Sequence, residues 1–473
     1  MDDIYQWILK KRDDDTLEKI AQVKRFSECL IGDHLFRDRL TQSPGQALEI
    51  THDRGIDLDP LDLAPMWKNG LKLSFSDKDK DGRLPLVNLW LDWLRDLRKF
   101  RDSLRGLGEE LCPNRRFVSW RQRQITRSDS QIGDMDKTIP HPVVAFELSQ
   151  GCTRGCWFCG LRADSFKGYL PYNQKNRVLW REILTSFKEI FGGLIETGFC
   201  YWATEPTDNP DYLCFIDDFY KIAGIYPQTT SAAPAKNLEW SRKLLKRYAS
   251  LRSIPCRFSI LDVDTLNIVH SAFTPRELLT TELILHVKGS IIPKAQAGRL
   301  RKSNDKFKEK EKGIRHFNTI ACVSGFLVNM VTKNIKLISP CAASERWPLG
   351  YRIHAEAEFT DALSFQDKLS AIVDHCMPDL SGMDGLISFR SDLNYRETAE
   401  GMELKNAYMR YTFDNNKLWR IIGSDLIEGK YKWDPLIERL TEKGIDILSA
   451  MSMLQNLYEK GLLDDEPKIP VQL

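Results

Sequence analysis

Val143-Val-Ala-Phe-Glu-Leu148 runs directly into Ser149-Gln-Gly-Cys152-Thr-Arg-Gly-Cys156-Trp-Phe-Cys159-Gly160. The first stretch is apolar and reads as a buried strand. The second carries three cysteines in Cys-x3-Cys-x2-Cys spacing. Three thiolates on one tight loop can hold three irons of a cubane iron–sulfur cluster, leaving the fourth iron for a substrate or cofactor to chelate. Structural zinc sites pair two short hooks of ligands, and the sequence has no second Cys-x2-Cys or His hook. The other cysteines of the eleven (Cys29, Cys112, Cys200, Cys214, Cys256, Cys322, Cys341 and Cys376) are scattered. An odd count in a chain of 473 residues does not read as the dense framework of a small disulfide-stapled domain.

Outward from this loop, strand-like runs alternate with helical ones between residues 140 and 339. Helices are expected over 178–191, 212–225 and 239–252, and strands over 198–202, 228–231, 257–260 and 283–287. Strand then helix, repeated, means βα units and a parallel sheet, which binds ligands at the carboxyl ends of its strands. A hairpin of 319–329 with 333–338 follows the charged run 301–312, whose mixed signs read as a solvated face.

The flanks are helical. Ile20, Val23, Phe26, Leu30, Phe36 and Leu40 recur at helical steps, and Gly55-Ile-Asp-Leu-Asp-Pro60 interrupts them with Asp59 placed to cap. A helix over 89–107 carries Trp90, Trp93 and Leu94. Ser76-Asp-Lys-Asp-Lys-Asp-Gly-Arg83 half-matches a calcium loop through Asp77, Asp79, Asp81 and Gly82. Asn88 stands where the bidentate glutamate belongs and Pro85 intrudes, so the stretch reads as a solvated turn. In the tail, Leu436, Leu440, Ile445, Leu448, Met451, Leu454, Leu457 and Leu462 keep helical spacing, like the compact helical half of a winged helix, and read as core.

Composition narrows the partners. Apolar residues make up 42% and charged residues 28%, too apolar a mixture for a disordered chain. Lys and Arg number 68 against 66 Asp and Glu, so a formal charge of +2 gives no global pull on nucleic acid. No apolar run approaches the roughly 20 residues that cross a bilayer. Met1-Asp-Asp-Ile-Tyr5 lacks a signal-peptide pattern. A cytoplasmic protein without nucleic-acid or membrane partners is expected.

The cysteine loop after a first strand, with Phe158 just before the last cysteine, resembles the radical S-adenosylmethionine (SAM) enzymes. The resemblance covers about residues 140–339. It implies an α/β fold built on a partial (βα)6 radical-SAM barrel, and one four-iron four-sulfur cluster on Cys152, Cys156 and Cys159. It also implies SAM bound through its amino and carboxylate groups to the open iron. One-electron reduction, by a carrier of the flavodoxin or ferredoxin type, then releases a 5′-deoxyadenosyl radical that abstracts hydrogen. In Tyr201-Trp-Ala-Thr-Glu-Pro206, Thr204 and Glu205 stand where the family holds the SAM amino group, although the usual glycines are absent. Arg257 and Ser259, alternate residues of one strand, stand where the carboxylate and ribose are met. The bland roles stay open beside these: an ordinary ion pair for Glu205, a solvated strand end for Arg257.

Ala321-Cys-Val-Ser-Gly-Phe-Leu-Val-Asn-Met330 and Ser339-Pro-Cys341-Ala-Ala-Ser-Glu-Arg-Trp-Pro-Leu-Gly-Tyr-Arg352 look, more narrowly, like the radical SAM peptide epimerases. Those enzymes convert L- to D-residues in ribosomally made, proteusin-type precursors. Asp33-His-Leu-Phe-Arg37, Gly55–Pro60 and Trp67 are similar to the helical leader-like region that opens such proteins. Losing Hα leaves a planar carbon radical, and hydrogen returned from the opposite face gives the D-residue. A thiol suits that second donation, because its S–H bond is weak. Cys341, behind Pro340 in a polar irregular segment, is the expected donor, and Cys322 reads as core.

The expected organisation is a helical leader-like region 1–75, a helical linker 76–139 and a partial barrel 140–339. A substrate-covering region 340–431 and a helical C-terminal module 432–473 complete it. The expected partners are a precursor peptide with a leader segment and the one-electron reductant. Two other radical SAM peptide modifications compete with this reading. Cross-linking often draws on auxiliary clusters, for which the cysteines are too few, and cobalamin-dependent methylation needs a nucleotide-like domain. A third class is an iron–sulfur or zinc protein that only binds peptide.

Overall fold

The computed structural model describes residues 4–68, 83–133, 138–288, 290, 292–302, 318–383, 385–414 and 416–473. The half-matched calcium loop at 77–82 and the charged run from 303 to 312 lie outside the described residues.

The organising element is the strand that precedes the cysteine loop. β1 (Val144–Glu147) is followed by the short pair β2 (Ser149–Gln150) and β3 (Gly168–Tyr169), which carry the loop between them. Ala145 bridges in parallel to Phe199, and Phe199 in turn to Gln228. Beyond lie β4 (Thr230–Ser231), β5 (Arg257–Ile260) and β6 (Glu282–Leu285), all parallel. On its other side β1 pairs in parallel with β7 (Gly325–Asn329), Val144 opposite Phe326. β7 then turns back antiparallel through β8 (Asn334–Pro340) and β9 (Tyr351–Glu358). The fold is mixed α/β with several sheets, and among the described residues these do not close into a barrel.

Helices Gln174–Phe191, Tyr212–Ala223 and Leu238–Ser250 connect the strands where the apolar periodicity places them. The side chains of Asn173 and Asn237 accept the N–H groups of Asn176 and Trp240, which would otherwise be orphaned in the first turn. A fourth connecting helix, Val263–Ala272, capped by Asp262, buries only Leu266, Val269 and His270, too thin a stripe to stand out in the sequence. The strand expected over 198–202 shrinks to the bridge at Phe199. Glu147 captures the next free N–H, that of Ala203, at 3.0 Å, and Pro206 lacks one.

The three largest apolar cores among the described residues redraw the expected domain bounds, a small fourth lying around Ala145 and Phe199. The N-terminal core runs from Ile8 to Trp93, so the helix Pro85–Arg105 belongs to it rather than to a linker. The helix Arg115–Ile132 instead puts Phe117 and Trp120 into the central core, which extends to Met377 and takes in β8, β9 and the helix Ala362–Cys376. The third core spans Leu380 to Leu463. It joins the helical tail to an antiparallel sheet of β10 (Asn394–Thr398), β11 (Gly401–Lys405) and β12 (Arg410–Phe413). The wing-like sheet lies directly ahead of helices Leu418–Glu428, Trp433–Glu442 and Ile447–Glu459. The boundaries expected at 340 and 432 therefore cut through β8 and through one continuous core. A last strand, β13 (Val471–Gln472), returns to β9 in parallel.

Candidate functional site

The cysteine loop is fastened at both ends. β2 and β3 close its neck, and Cys152 bridges to Ser165, its N–H donating to Asp164 O at 2.9 Å. Gly151 has φ +77°, and a Cβ there would lie 2.2 Å from Ser165 O, so only glycine fits. Thr153 donates its N–H and its hydroxyl to Asp208, at 2.9 and 2.7 Å. Arg299 reaches across the loop to Cys156 O at 2.9 Å and to Ala163 O, and its own N–H meets Cys159 O at 3.0 Å.

The three thiols are half-buried and face backbone donors. Arg154 N–H lies 3.4 Å from Cys152 Sγ and Ala163 N–H 3.5 Å from Cys159 Sγ, the kind of contact that stabilises thiolate charge. Burial pushes the Cys152 thiol up to about 11, with Glu205 and Asp208 adding to it. Burial and then neighbouring Cys159 raise Cys156. The thiols thus stand within electrostatic range of one another. Yet among the described residues no three His, Cys, Asp or Glu side chains converge as a metal-ligating group. In its chemistry, three thiols on one anchored loop, the donor set is of the iron–sulfur kind, but the described side chains are not gathered around one point.

The remaining expected site residues distribute around this loop. Phe158 lays its ring 4.6 Å from that of His286, at the carboxyl end of β6. Glu205 is buried and fully engaged: Oε1 accepts from Ser231 Oγ at 2.6 Å and from the Thr207 N–H and hydroxyl, and Oε2 from Ala232 N–H at 2.7 Å. It latches the segment after Phe199 to the end of β4. Thr204 lies half-buried in the adjoining bend. Arg257 and Ser259 share one face of β5, opposite Phe258 and Ile260, which are fully buried against the helices. Arg257 Nε donates to Glu282 Oε2 at 2.7 Å, and that carboxylate keeps the guanidinium protonated against the cost of burial.

Arg257 belongs to a polar inner surface that the sequence did not announce. Tyr201 donates its hydroxyl to Gln228 Oε1 at 3.0 Å and accepts from Thr230 Oγ1 at 2.8 Å. Glu147, raised by burial, accepts from Ala203 N–H and from Asn329 Nδ2 at 2.8 Å. His286, lowered to about 4 by burial and then by Lys294, has no partner at Nδ1 among the described residues. The available signal was alternation: Glu147 follows Ala145, and His286 follows Ile284, on the face opposite the buried apolar residues of their strands.

The two cysteines of the expected second half lie apart. Cys341 follows β8 and is 2% exposed, its N–H donating to Gly350 O at 3.0 Å. Burial pushes its thiol up to about 11, and its charged neighbours are Arg352, Glu466 and Arg127. These groups tie the helix Arg115–Ile132 to the C-terminal tail: Arg352 Nε meets Glu466 at 2.6 Å, and Arg127 pairs with Asp465 and Glu466. The Cys341 thiol is thus buried at a packed junction, while residues 341–350 follow the irregular, partly exposed course that Pro340 suggested. Cys322 lies in the extended segment ahead of β7, not within a strand. It is half-buried and packs against the small apolar cluster that includes Phe199, Val323 and Ile338, as its reading as core implied.

No family model and no solved structure matches the chain. It is 38% identical over 467 residues to uncharacterized protein y4wI of Sinorhizobium fredii (strain NBRC 101917 / NGR234), an alignment covering 98% of this chain and 90% of that protein. The chain belongs to that protein's family. The alignment spans nearly the whole of this chain. Among the described residues, no helix is long and apolar enough to cross a membrane.

Proposed function

We propose that the chain is a radical SAM peptide epimerase that converts L- to D-residues in a ribosomally made precursor peptide. The observation that carries this reading is the cysteine loop held at the carboxyl end of β1, over an open parallel array whose inner face is polar. The array of β6, β5, β4, the Phe199 bridge and β1 supports the finer reading of a partial radical-SAM barrel. Cys152, Cys156 and Cys159 would hold the cluster, which with SAM would supply the one-electron chemistry for hydrogen abstraction.

The chain's own residues hold and orient. Phe158 and His286 wall the space beside the loop. Arg257, with Glu282 behind it, offers a fixed cation for a carboxylate, and Ser259 on the same face offers a hydroxyl to a ribose. Thr204 is the polar candidate for an amino group, since Glu205 is already fully occupied. Thiols that must stay reduced suit the cytoplasm, with electrons from a flavodoxin- or ferredoxin-type carrier.

The test is anaerobic reconstitution followed by mass spectrometry of a leader-bearing candidate peptide in deuterated water. Epimerisation adds about one mass unit per converted residue, whereas cross-linking removes about two. Replacing Cys152, Cys156 and Cys159 together by alanine is expected to abolish both the iron–sulfur absorbance and SAM cleavage. Iron bound equally well by the triple variant would overturn the assignment, and a mass loss of two would replace epimerisation by cross-linking.

A further inference from the structure

We infer that Arg299 is a positioning residue for the cysteine loop, holding the backbone of its second half so that Cys156 and Cys159 can ligate by side-chain rotation alone. The inference rests on the iron–sulfur part of the reading above and adds to it a residue from outside the loop.

The two halves of the loop are fastened differently. The first is held at the neck, where Cys152 N–H donates to Asp164 O and Thr153 bonds to Asp208. Cys156 and Cys159 lie beyond those fastenings, on a turn that closes on itself. Cys159 N–H meets Cys156 O at 3.2 Å, and Arg162 N–H meets Cys159 O at 3.1 Å. Such bonds fix the shape of a turn and not its place. Arg162 also sits at φ +51°, a backbone that a non-glycine residue keeps only where its surroundings hold it.

The outside support comes from the short helix Gly298–Lys302, in the connection from β6 to β7. Among the described residues, Arg299 alone bonds Cys156, Cys159 and Ala163 from outside the loop. Its Nη1 donates to Cys156 O at 2.9 Å, its Nη2 to Ala163 O, and its N–H to Cys159 O at 3.0 Å. Those oxygens bracket Cys159, and Ala163 N–H is the group that faces the Cys159 thiol. A planar guanidinium spans two fixed acceptors in one geometry, which an ammonium does not.

The approach that places Arg299 is itself built in. Gly298 has φ +56°, and a Cβ there would lie 2.3 Å from Gly160 O and 2.6 Å from Cys159 O. Only glycine lets the two backbones meet so closely. On its other side Gly298 N–H donates to Pro348 O at 2.9 Å, which ties the pair to the segment after β8. Position and charge fall to different arginines: Arg154, inside the loop, is the one whose charge reaches the Cys156 thiol, while Arg299 holds the backbone.

Holding the backbone is what ligation needs here. The described thiols are not gathered around one point, so they must turn to meet an iron. A cysteine side chain turns about one bond between a few staggered positions, which costs little once its backbone is fixed. Without the clamp, binding must also order the chain from Cys156 to Ala163, at the entropy cost of each residue fixed.

Two measurements on the full chain test this, one before iron is added and one after. The first is hydrogen exchange of the unreconstituted chain, read on peptides covering 156–163 and 149–153. Arg299→Lys keeps the charge and loses the fork. It is expected to speed exchange about tenfold or more in the first peptide and to leave the second within about twofold. Gly298→Ala keeps the arginine but pushes its backbone off the loop, and the same result is expected. The second is the rate at which a ferrous chelator, bathophenanthroline, strips iron from the reconstituted chain. Both variants are expected to lose iron about ten- to a hundredfold faster than the parent, and Arg154→Lys within about threefold of it. Parent rates of exchange in both variants would overturn the assignment, and so would equal acceleration of the two peptides, the mark of a general prop. A loosened loop that holds iron as long as the parent overturns it too and leaves the iron–sulfur reading standing. A parent chain that takes up no iron removes both.

Discussion

The two faces of β1 and its neighbours differ more than any two domains of the molecule. On the outer face Val144, Phe146, Phe258, Ile260 and Phe326 are fully buried under helices, in a core dense with aromatic rings. On the inner face the same strands present Ala145, Glu147, Arg257, Ser259 and His286, with Tyr201, Trp202 and Cys322 alongside. Period-two alternation sends successive side chains of one strand to opposite environments. One face is a large aromatic core; the other joins a small buried apolar cluster around Ala145 and Phe199 to polar side chains, and it is this face that the proposed reading gives to ligands.

The largest effect is expected from damage to the outer face. Phe326 lies 5.3 Å from Phe191, 5.7 Å from Phe187 and 5.8 Å from Phe117, ring centre to ring centre. Phe326→Ala is expected to cost about 3–5 kcal/mol, because the cavity it leaves cannot collapse among rigid rings. Urea unfolding followed by tryptophan fluorescence checks it. A loss below about 1 kcal/mol would mean that the outer face is loosely packed and that the contrast between the faces is overdrawn.

Acid sharpens the same contrast. His354, bonded to Ser339 Oγ at 2.9 Å and set edge-on to Trp120, is lowered by burial to about 3. His141, bonded to Ser324 Oγ at 2.8 Å, is lowered well below its ordinary range, again by burial. Both stay neutral in the folded chain, while the unfolded chain protonates them below about pH 6.5. Unfolding therefore takes up protons, and stability falls as pH drops from about 6.5 toward 3, by up to about 1.4 kcal/mol per pH unit for each histidine. Thermal unfolding at pH 7, 6 and 5 reads the slope. His354→Gln is expected to flatten it, and an unchanged slope would exclude His354 from the acid limb.

The sequence revealed some of this and hid the rest for identifiable reasons. β1 and β6 were legible as apolar runs, and β5 because Phe258 and Ile260 alternate with Arg257 and Ser259. The cysteine loop was legible because its spacing is local. β10 was not: Asn394-Tyr-Arg-Glu-Thr398 is largely exposed on an edge, so its alternation never becomes an apolar pattern. Cys322 read as core because its neighbours Ala321 and Val323 are apolar, and it does pack against an apolar cluster. Nothing within five residues says that this segment passes Gly160. For Cys341, proline and polar neighbours signal the loop that residues 341–350 form, but cannot say that the thiol itself is buried, near Glu466 from far along the chain.

The neck of the cysteine loop tests how rigidly the inner site is built. Gly151→Ala places a Cβ against Ser165 O in a left-handed backbone, a cost of about 1–2 kcal/mol from the dihedral alone. The loop is expected to reopen between β2 and β3 and to reconstitute with less iron, while the melting of the central core shifts little. Iron content per chain against Tm separates the two. A full complement of iron would show that cluster binding needs no preformed neck.

The smallest effect belongs to the inner face and decides whether that face is built for stability at all. The Tyr201 hydroxyl links Gln228 to Thr230, in a residue that is half-buried overall. Removing it in Tyr201→Phe keeps the ring and its 4.6 Å packing on Phe199. Neutral hydrogen bonds of this kind are worth about 1 kcal/mol, and water can replace part of this one. Stability is therefore expected to change by about 1 kcal/mol or less, several times less than for Phe326→Ala, although both side chains belong to the same set of strands. The difference would appear instead in ligand handling. Without the phenol, Thr230 loses its acceptor and the polar surface beside Arg257 and Cys322 is no longer fixed. The affinity for SAM or for peptide, measured by calorimetry on the reconstituted chain, should weaken while the melting curve hardly moves. A Tyr201→Phe chain that unfolds as readily as the Phe326 variant would make the inner face a second structural core, and the reading of that face as a ligand surface would then fail.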